Sequence, residues 1–85
     1  MNWQRALVCK ILQTKDLRHV TITHRIRPSL FTDPLARQAF AEIVKHFKTY
    51  REVPSPEFLK GVVPGFEYQE VSDSIDAICD RVKDE

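Results

Sequence analysis

The amino-acid sequence predicts an all-α domain, a compact bundle of about five helices. Two observations carry the prediction. Apolar residues recur at helical spacing in four separate segments, and two of those segments open with a capping residue followed by proline, Asp33-Pro34 and Ser55-Pro56. A third supports it: the one strand-like run, Val20-Thr21-Ile22-Thr23, has no second strand to pair with.

Taken in order, Trp3, Leu7 and Ile11, with Ala6, Val8 and Leu12 beside them, place one apolar face on a helix from Trp3 to Thr14. Arg5, Lys10 and Gln13 occupy the other side. Leu17, Val20 and Ile26 draw the stripe of a second helix over 16–26, which Arg27-Pro28 ends because proline disfavours helical geometry in the preceding residue. Leu30-Phe31 reads as an apolar pair that anchors the connection. Asp33 at the N-cap and Pro34 at the first helical position open the third helix. Its face of Leu35, Ala36, Ala39, Phe40, Ile43, Val44, Phe47 and Tyr50 makes it the spine of the fold. Ser55-Pro56 starts a short helix through Phe58, Leu59 and Val62 that stops before Pro64-Gly65. From about Glu67 to Lys83, Val71, Ile75, Ile78 and Val82 define a last amphipathic helix with an acidic outer surface.

Composition bounds the function classes. The 85 residues suffice for one domain, and 42% apolar with 29% charged residues is the balance of a soluble globular fold. Nothing approaches a membrane span, and Met1-Asn2-Trp3-Gln4-Arg5 lacks the layout of a secretory signal. Two cysteines, Cys9 and Cys79, cannot form a disulfide scaffold, so a reducing, cytoplasmic setting is expected, the host cytoplasm if the chain is phage-encoded. The net charge of +1 conceals an asymmetry. Residues 1–51 hold ten Lys/Arg against Asp16, Asp33 and Glu42, and residues 52–85 hold Lys60, Arg81 and Lys83 against nine carboxylates. Such halves attract one another within the fold, or present two poles to partners.

A catalytic constellation is not apparent. The only glycines, Gly61 and Gly65, belong to no phosphate-binding loop. His19 and His24 stand five apart, a step that does not align two imidazoles on one α-helical face, so metal binding by the histidines is not expected. His46 falls at the boundary of an apolar stripe, and Cys9 and Cys79 read as core thiols. The acids of the last helix read as a solvated face. Arg5, Lys10, Lys15, Arg18, Arg25 and Arg27 form a basic cluster suited to phosphates, with Trp3 able to stack on a base.

The order of these features carries a resemblance. Ala6-Leu7-Val8-Cys9-Lys10-Ile11-Leu12 leads to Ile26-Arg27-Pro28-Ser29-Leu30-Phe31, then to Asp33-Pro34, Arg37-Gln38-Ala39-Phe40-Ala41-Glu42-Ile43, Val53-Pro54-Ser55 and Leu59. This resembles the N-terminal domain of DnaB-type replicative hexameric DNA helicases, and the tail from Phe66-Glu67-Tyr68 through Ile75 and Ile78 is similar to phage members of the T4 type. The resemblance spans most of residues 4–82 and rests on apolar spacings and prolines.

It implies a helical domain of the ring's N-terminal tier, one that self-associates within a hexamer and docks primase or a helicase loader. ATP, Mg and strand separation then belong to a separate motor domain, so this chain is expected to be no enzyme and to hold no cofactor of its own, although its parent is an ATP-dependent DNA helicase. The chain stops at Asp84-Glu85 directly after a helical turn, as the front of a longer helicase chain would. The positions that match the family pattern, Leu7, Phe31, Phe40, Ile43 and Leu59, are core positions by periodicity. Candidate partner contacts come instead from the charge asymmetry: Trp3, Arg5, Arg18 and Arg25 on the basic side, Glu70 and Asp73 on the acidic side. Two other readings stand beside this one. They are a small single-stranded nucleic-acid-binding protein, and a stand-alone adaptor that binds helicase or primase.

Overall fold

The computed structural model describes residues 2–84. Its elements are α1 (Trp3–Thr14), a π turn (His19–Thr23), a 3-10 turn (Pro28–Leu30), α2 (Pro34–Tyr50), α3 (Pro56–Val62) and α4 (Ile75–Asp84). Among the described residues there is no strand, and no helix is long and apolar enough to cross a membrane. The expected all-α class therefore holds, with four α-helices and one π turn as the principal elements.

Helix starts follow local chemistry. The Asn2 side chain accepts from the backbone N–H of Gln4 at 3.1 Å and of Arg5 at 3.2 Å, satisfying two orphan donors of α1. Asp33 accepts from Ala36 N at 3.0 Å to open α2, and Ser55 from Phe58 N at 3.1 Å to open α3. Helix ends use a less common device. Lys15 at φ 59° and Arg51 at φ 62° take the left-handed conformation that glycine adopts most cheaply, and their N–H groups close back on Ile11 and Phe47.

The core lies where α1 packs on both α2 and α4. Leu7, Val8, Ile11 and Leu12 of α1 meet Ala36, Ala39, Phe40 and Ile43 of α2 and Ile78, Cys79 and Val82 of α4, all buried. Phe31 and Phe40 stack with ring centroids 4.7 Å apart. Among the described residues one polar side chain enters this core. Gln4 is 2% exposed, and its Oε1 accepts from Thr32 N at 2.9 Å and Asp33 N at 2.8 Å while its Nε2 donates to the Thr32 hydroxyl at 2.9 Å.

The structure corrects several expectations. The segment 16–26 is no α-helix. Leu17, Val20 and Ile26 are buried as expected, but the backbone makes a π turn closed by His24 N to His19 O at 3.1 Å. The β-branched run Val20–Thr23 is crowded in an α-helix, and the Thr21 hydroxyl donates to the Leu17 carbonyl at 3.2 Å in competition with the regular ladder. The last helix begins at Ile75 instead of Glu67. Residues 66–74 run without regular structure across α1, because their backbone groups find partners there. Val71 N donates to Gln13 Oε1 and Lys10 Nζ donates to Val71 O, each at 2.8 Å. Ser74 then accepts from Ala77 N at 3.2 Å, and α4 starts.

Some apolar positions also face outward. Leu30, Tyr50, Phe58 and Val62 are exposed, and Phe31 and Val63 take the core places beside them. A helix as short as α3 can turn only one of its two stripes inward. The buried stripe is Leu59 with Val63 just beyond it, leaving Phe58 and Val62 on the adjoining, more exposed flank.

Two stability predictions follow from this packing. Phe40→Ala removes the fully buried partner of Phe31 and should lower the unfolding free energy by about 3–5 kcal/mol in urea titrations. A midpoint equal to that of the parent would place the wrong face of α2 inward. Gln4→Leu fits the same volume but strands two backbone N–H groups, and should cost on the order of 1–3 kcal/mol.

Candidate functional site

Three arrangements on the molecule have chemical content. The first holds two of the contact residues drawn from the charge pattern. A cleft of about 520 Å³ lies between α1, the start of α2 and the 65–71 segment, and Arg5 and Glu70 both line it. Arg5 is already engaged there. Its Nε donates to Asp33 Oδ2 at 2.8 Å and its Nη2 to Asp33 Oδ1 at 3.2 Å, a bidentate pair that ties α1 to the cap of α2. The Arg5 guanidinium holds the Asp33 carboxyl below the usual carboxylate range, and Asp33 in turn raises Arg5.

The remaining contact candidates are dispersed. Trp3 is half-buried against the core with the Arg81 guanidinium 5.8 Å from its ring centroid, and Arg18 lies 5.9 Å from the Phe47 ring. Arg25, at φ 55°, and Asp73 are exposed and make no ion pair among the described residues. The structure thus brings Arg5 and Glu70 to one cleft but does not gather the six residues into one site. Arg5, Arg18 and Trp3 all have structural partners within the domain. Among the described residues no Lys or Arg of the first half pairs with a carboxylate of the second; His19 and His24 link the halves by hydrogen bonds to Asp76.

The second arrangement is aromatic. His46, in the last half of α2, lies with its ring centroid 4.6 Å from Tyr50 and 4.7 Å from Phe58 of α3. Tyr50 is 64% exposed, Phe58 43% and Val62, one turn further along α3, 38%. Here His46 does sit at the edge of the apolar stripe, and it joins two exposed rings across the α2–α3 junction.

The third arrangement brings His19 and His24 together, which their five-residue spacing did not suggest. In an α-helix, residues five apart lie roughly 140° from one another around the axis. The π turn, with its five-residue hydrogen-bond step, carries His19 and His24 to one face. Their Nε2 atoms reach the same oxygen, Asp76 Oδ1 on α4, at 2.5 and 2.7 Å. The two rings meet edge to face with centroids 5.1 Å apart. Asp16 supports the turn by accepting from His19 N at 3.2 Å, and Lys83 Nζ lies 3.0 Å from His24 Nδ1. An ammonium only donates, so His24 Nδ1 accepts from Lys83 and Nε2–H donates to Asp76. The two imidazoles, His24 first, hold the Asp76 carboxyl below the usual range. The residue spacing was visible in the sequence, but the π backbone that gives it meaning was not. The Ser72-Asp73-Ser74 cluster of capping residues was the signal for the true start of α4 at Ile75.

Comparison of the chain with protein-family models, with curated proteins and with solved structures finds no match.

The Asp33 pair generates a pH prediction. A carboxylate whose folded value is depressed adds stability that is present above its unfolded value and is lost as pH falls through the folded one. Stability should therefore fall with acidification below about pH 4. Asp33→Asn keeps a cap acceptor but cannot ionise, and its urea midpoint should change less between neutral and acid pH than the parent's. Asp33→Ala loses the cap as well, which should cost about 1 kcal/mol more at pH 7 than the Asn variant.

Proposed function

We propose that the chain is a non-catalytic helical interaction domain of the kind that forms the N-terminal tier of DnaB-type replicative helicases. In this role it associates with copies of itself around a ring and docks a primase or a helicase loader. The observation that carries the reading is the uncovered aromatic face at the α2–α3 junction, formed by His46, Tyr50, Phe58 and Val62. A domain this small has few large apolar side chains to leave in water, and rigid aromatic groups clustered outside the core are the anchors that protein interfaces use.

The framework is consistent with that assignment. Leu7, Phe31, Phe40, Ile43 and Leu59, the residues that carry the family-like pattern, are all 2% exposed or less. ATP, Mg and the helicase activity belong to a separate motor in this reading, and contact with DNA is secondary. The nucleic-acid-binding alternative relies on Trp3 as a stacking platform, and that ring is half-buried with Arg81 beside it.

The test is a calorimetric titration of the chain with the primase and the helicase loader of its own replication system, at low and moderate salt. Saturable binding that survives moderate salt is the expected result. Tyr50→Ala with Phe58→Ala should weaken it by roughly 30-fold, the loss of about 2 kcal/mol typical of anchor residues, while the thermal midpoint stays within a few degrees of the parent's. Steeply salt-dependent affinity for single-stranded DNA, with no binding to either protein, would move the nucleic-acid reading to the front.

A further inference from the structure

We infer that His19, His24 and Asp76 form a binding site for a divalent transition-metal ion of the zinc type, which fastens α4 to the π turn. This inference stands apart from the docking role and uses a different part of the surface.

Three observations carry it. The ligand atoms converge: the two imidazole nitrogens and a carboxylate oxygen all lie within 4.8 Å of one another, although their residues come from elements more than fifty positions apart in sequence. Zinc takes imidazole nitrogen at about 2.0–2.1 Å and carboxylate oxygen at about 2.0–2.2 Å, so tetrahedral ligands stand roughly 3.3 Å apart. The separations of 2.5 and 2.7 Å from each histidine to Asp76 need only a small rotation of an aspartate that is 62% exposed. Its second oxygen makes no hydrogen bond among the described residues, so it is available for the same ion.

The donor set also selects a class of ion. Two imidazoles and one carboxylate suit zinc and its first-row neighbours, whereas magnesium and calcium prefer oxygen donors throughout. Finally, the backbone is built for the pair. A π turn is a rare departure from the α-helix, and here its five-residue step is what puts both imidazoles on one side. Three protein ligands leave a fourth position, open to solvent beside the exposed Asp76, for water.

Lys83 makes the assignment testable in both directions. A bound ion needs the lone pair of His24 Nε2, which shifts the ring proton to Nδ1. That proton would face the Lys83 ammonium, now 3.0 Å away. Metal-bound histidines are supported by an acceptor on the second nitrogen, and such partners are typically worth about 10–100-fold in affinity. Lys83→Gln removes the opposing charge and supplies an acceptor, so it should tighten binding about tenfold.

The experiment is a titration of chelator-treated protein with zinc against a competing chromophoric chelator, paired with thermal melts and with the visible spectrum of the cobalt(II) form. The expected result is one ion per chain, and a rise in the melting midpoint of about 15 °C at a hundredfold excess over Kd. Asp76→Asn and His19→Gln, both at exposed or partly exposed positions, should each weaken binding at least about tenfold, and Lys83→Gln should strengthen it. The cobalt spectrum should show tetrahedral bands without thiolate charge transfer, which excludes Cys9 and Cys79 as the ligands. Failure to bind zinc stoichiometrically would overturn the site. So would affinity indifferent to all three substitutions, or a cobalt–thiolate band.

Discussion

One buried amide sets the frame of this domain. Gln4 enters the core from the first turn of α1, and its side chain holds the two residues that precede α2. Those residues carry backbone donors at a helix start, where no intrahelical partner exists. With Thr32 and Asp33 held, Asp33 is placed to cap α2 and to receive Arg5, and Phe31 is turned inward to stack on Phe40. The relation between the two longest helices therefore rests on a polar contact inside an apolar shell. Such a contact is directional, whereas hydrophobic burial alone tolerates many crossing angles.

How much of this was legible in the sequence depended on whether the signal was local. The starts of α2 and α3 were plain, because Asp33-Pro34 and Ser55-Pro56 act on their own backbone. The inward face of α2 was plain through Ile43, because seventeen residues give a long periodic pattern. Helix ends were harder to place by residue type. Lys15, Arg25 and Arg51 occupy left-handed positions where glycine would have announced a stop. The 66–74 segment misled for the opposite reason: Val71 keeps helical spacing with Ile75, but its backbone is bonded to Lys10 and Gln13. Only the folded chain shows that competition. Gln4 carried no signal at all, since an amide in a first helical turn ordinarily faces water.

The candidate sites divide along the same line. The candidate contacts were partly absorbed by the fold, with Arg5 on Asp33, Arg18 beside Phe47 and Trp3 beside Arg81. The aromatic face arose from residues assigned to the core by period, Tyr50, Phe58 and Val62, which the short α3 and the final turn of α2 leave outside. The histidine cluster was hidden by an assumption about pitch. Five residues is the wrong step for an α-helix and the right one for a π turn, so the backbone geometry had to be known before the side chains made sense.

The placement of α4 has a further consequence for its thiol. Cys79 has no exposed surface, and burial pushes it up to about 11, so at neutral pH it is almost wholly a protonated and shielded group. An alkylating reagent can meet it only when α4 lifts from α1. The rate at which this one sulfur is modified thus reports how often the C-terminal helix leaves its seat, without any label added to the chain. Ligands that fasten or release α4 would be read by the same natural clock.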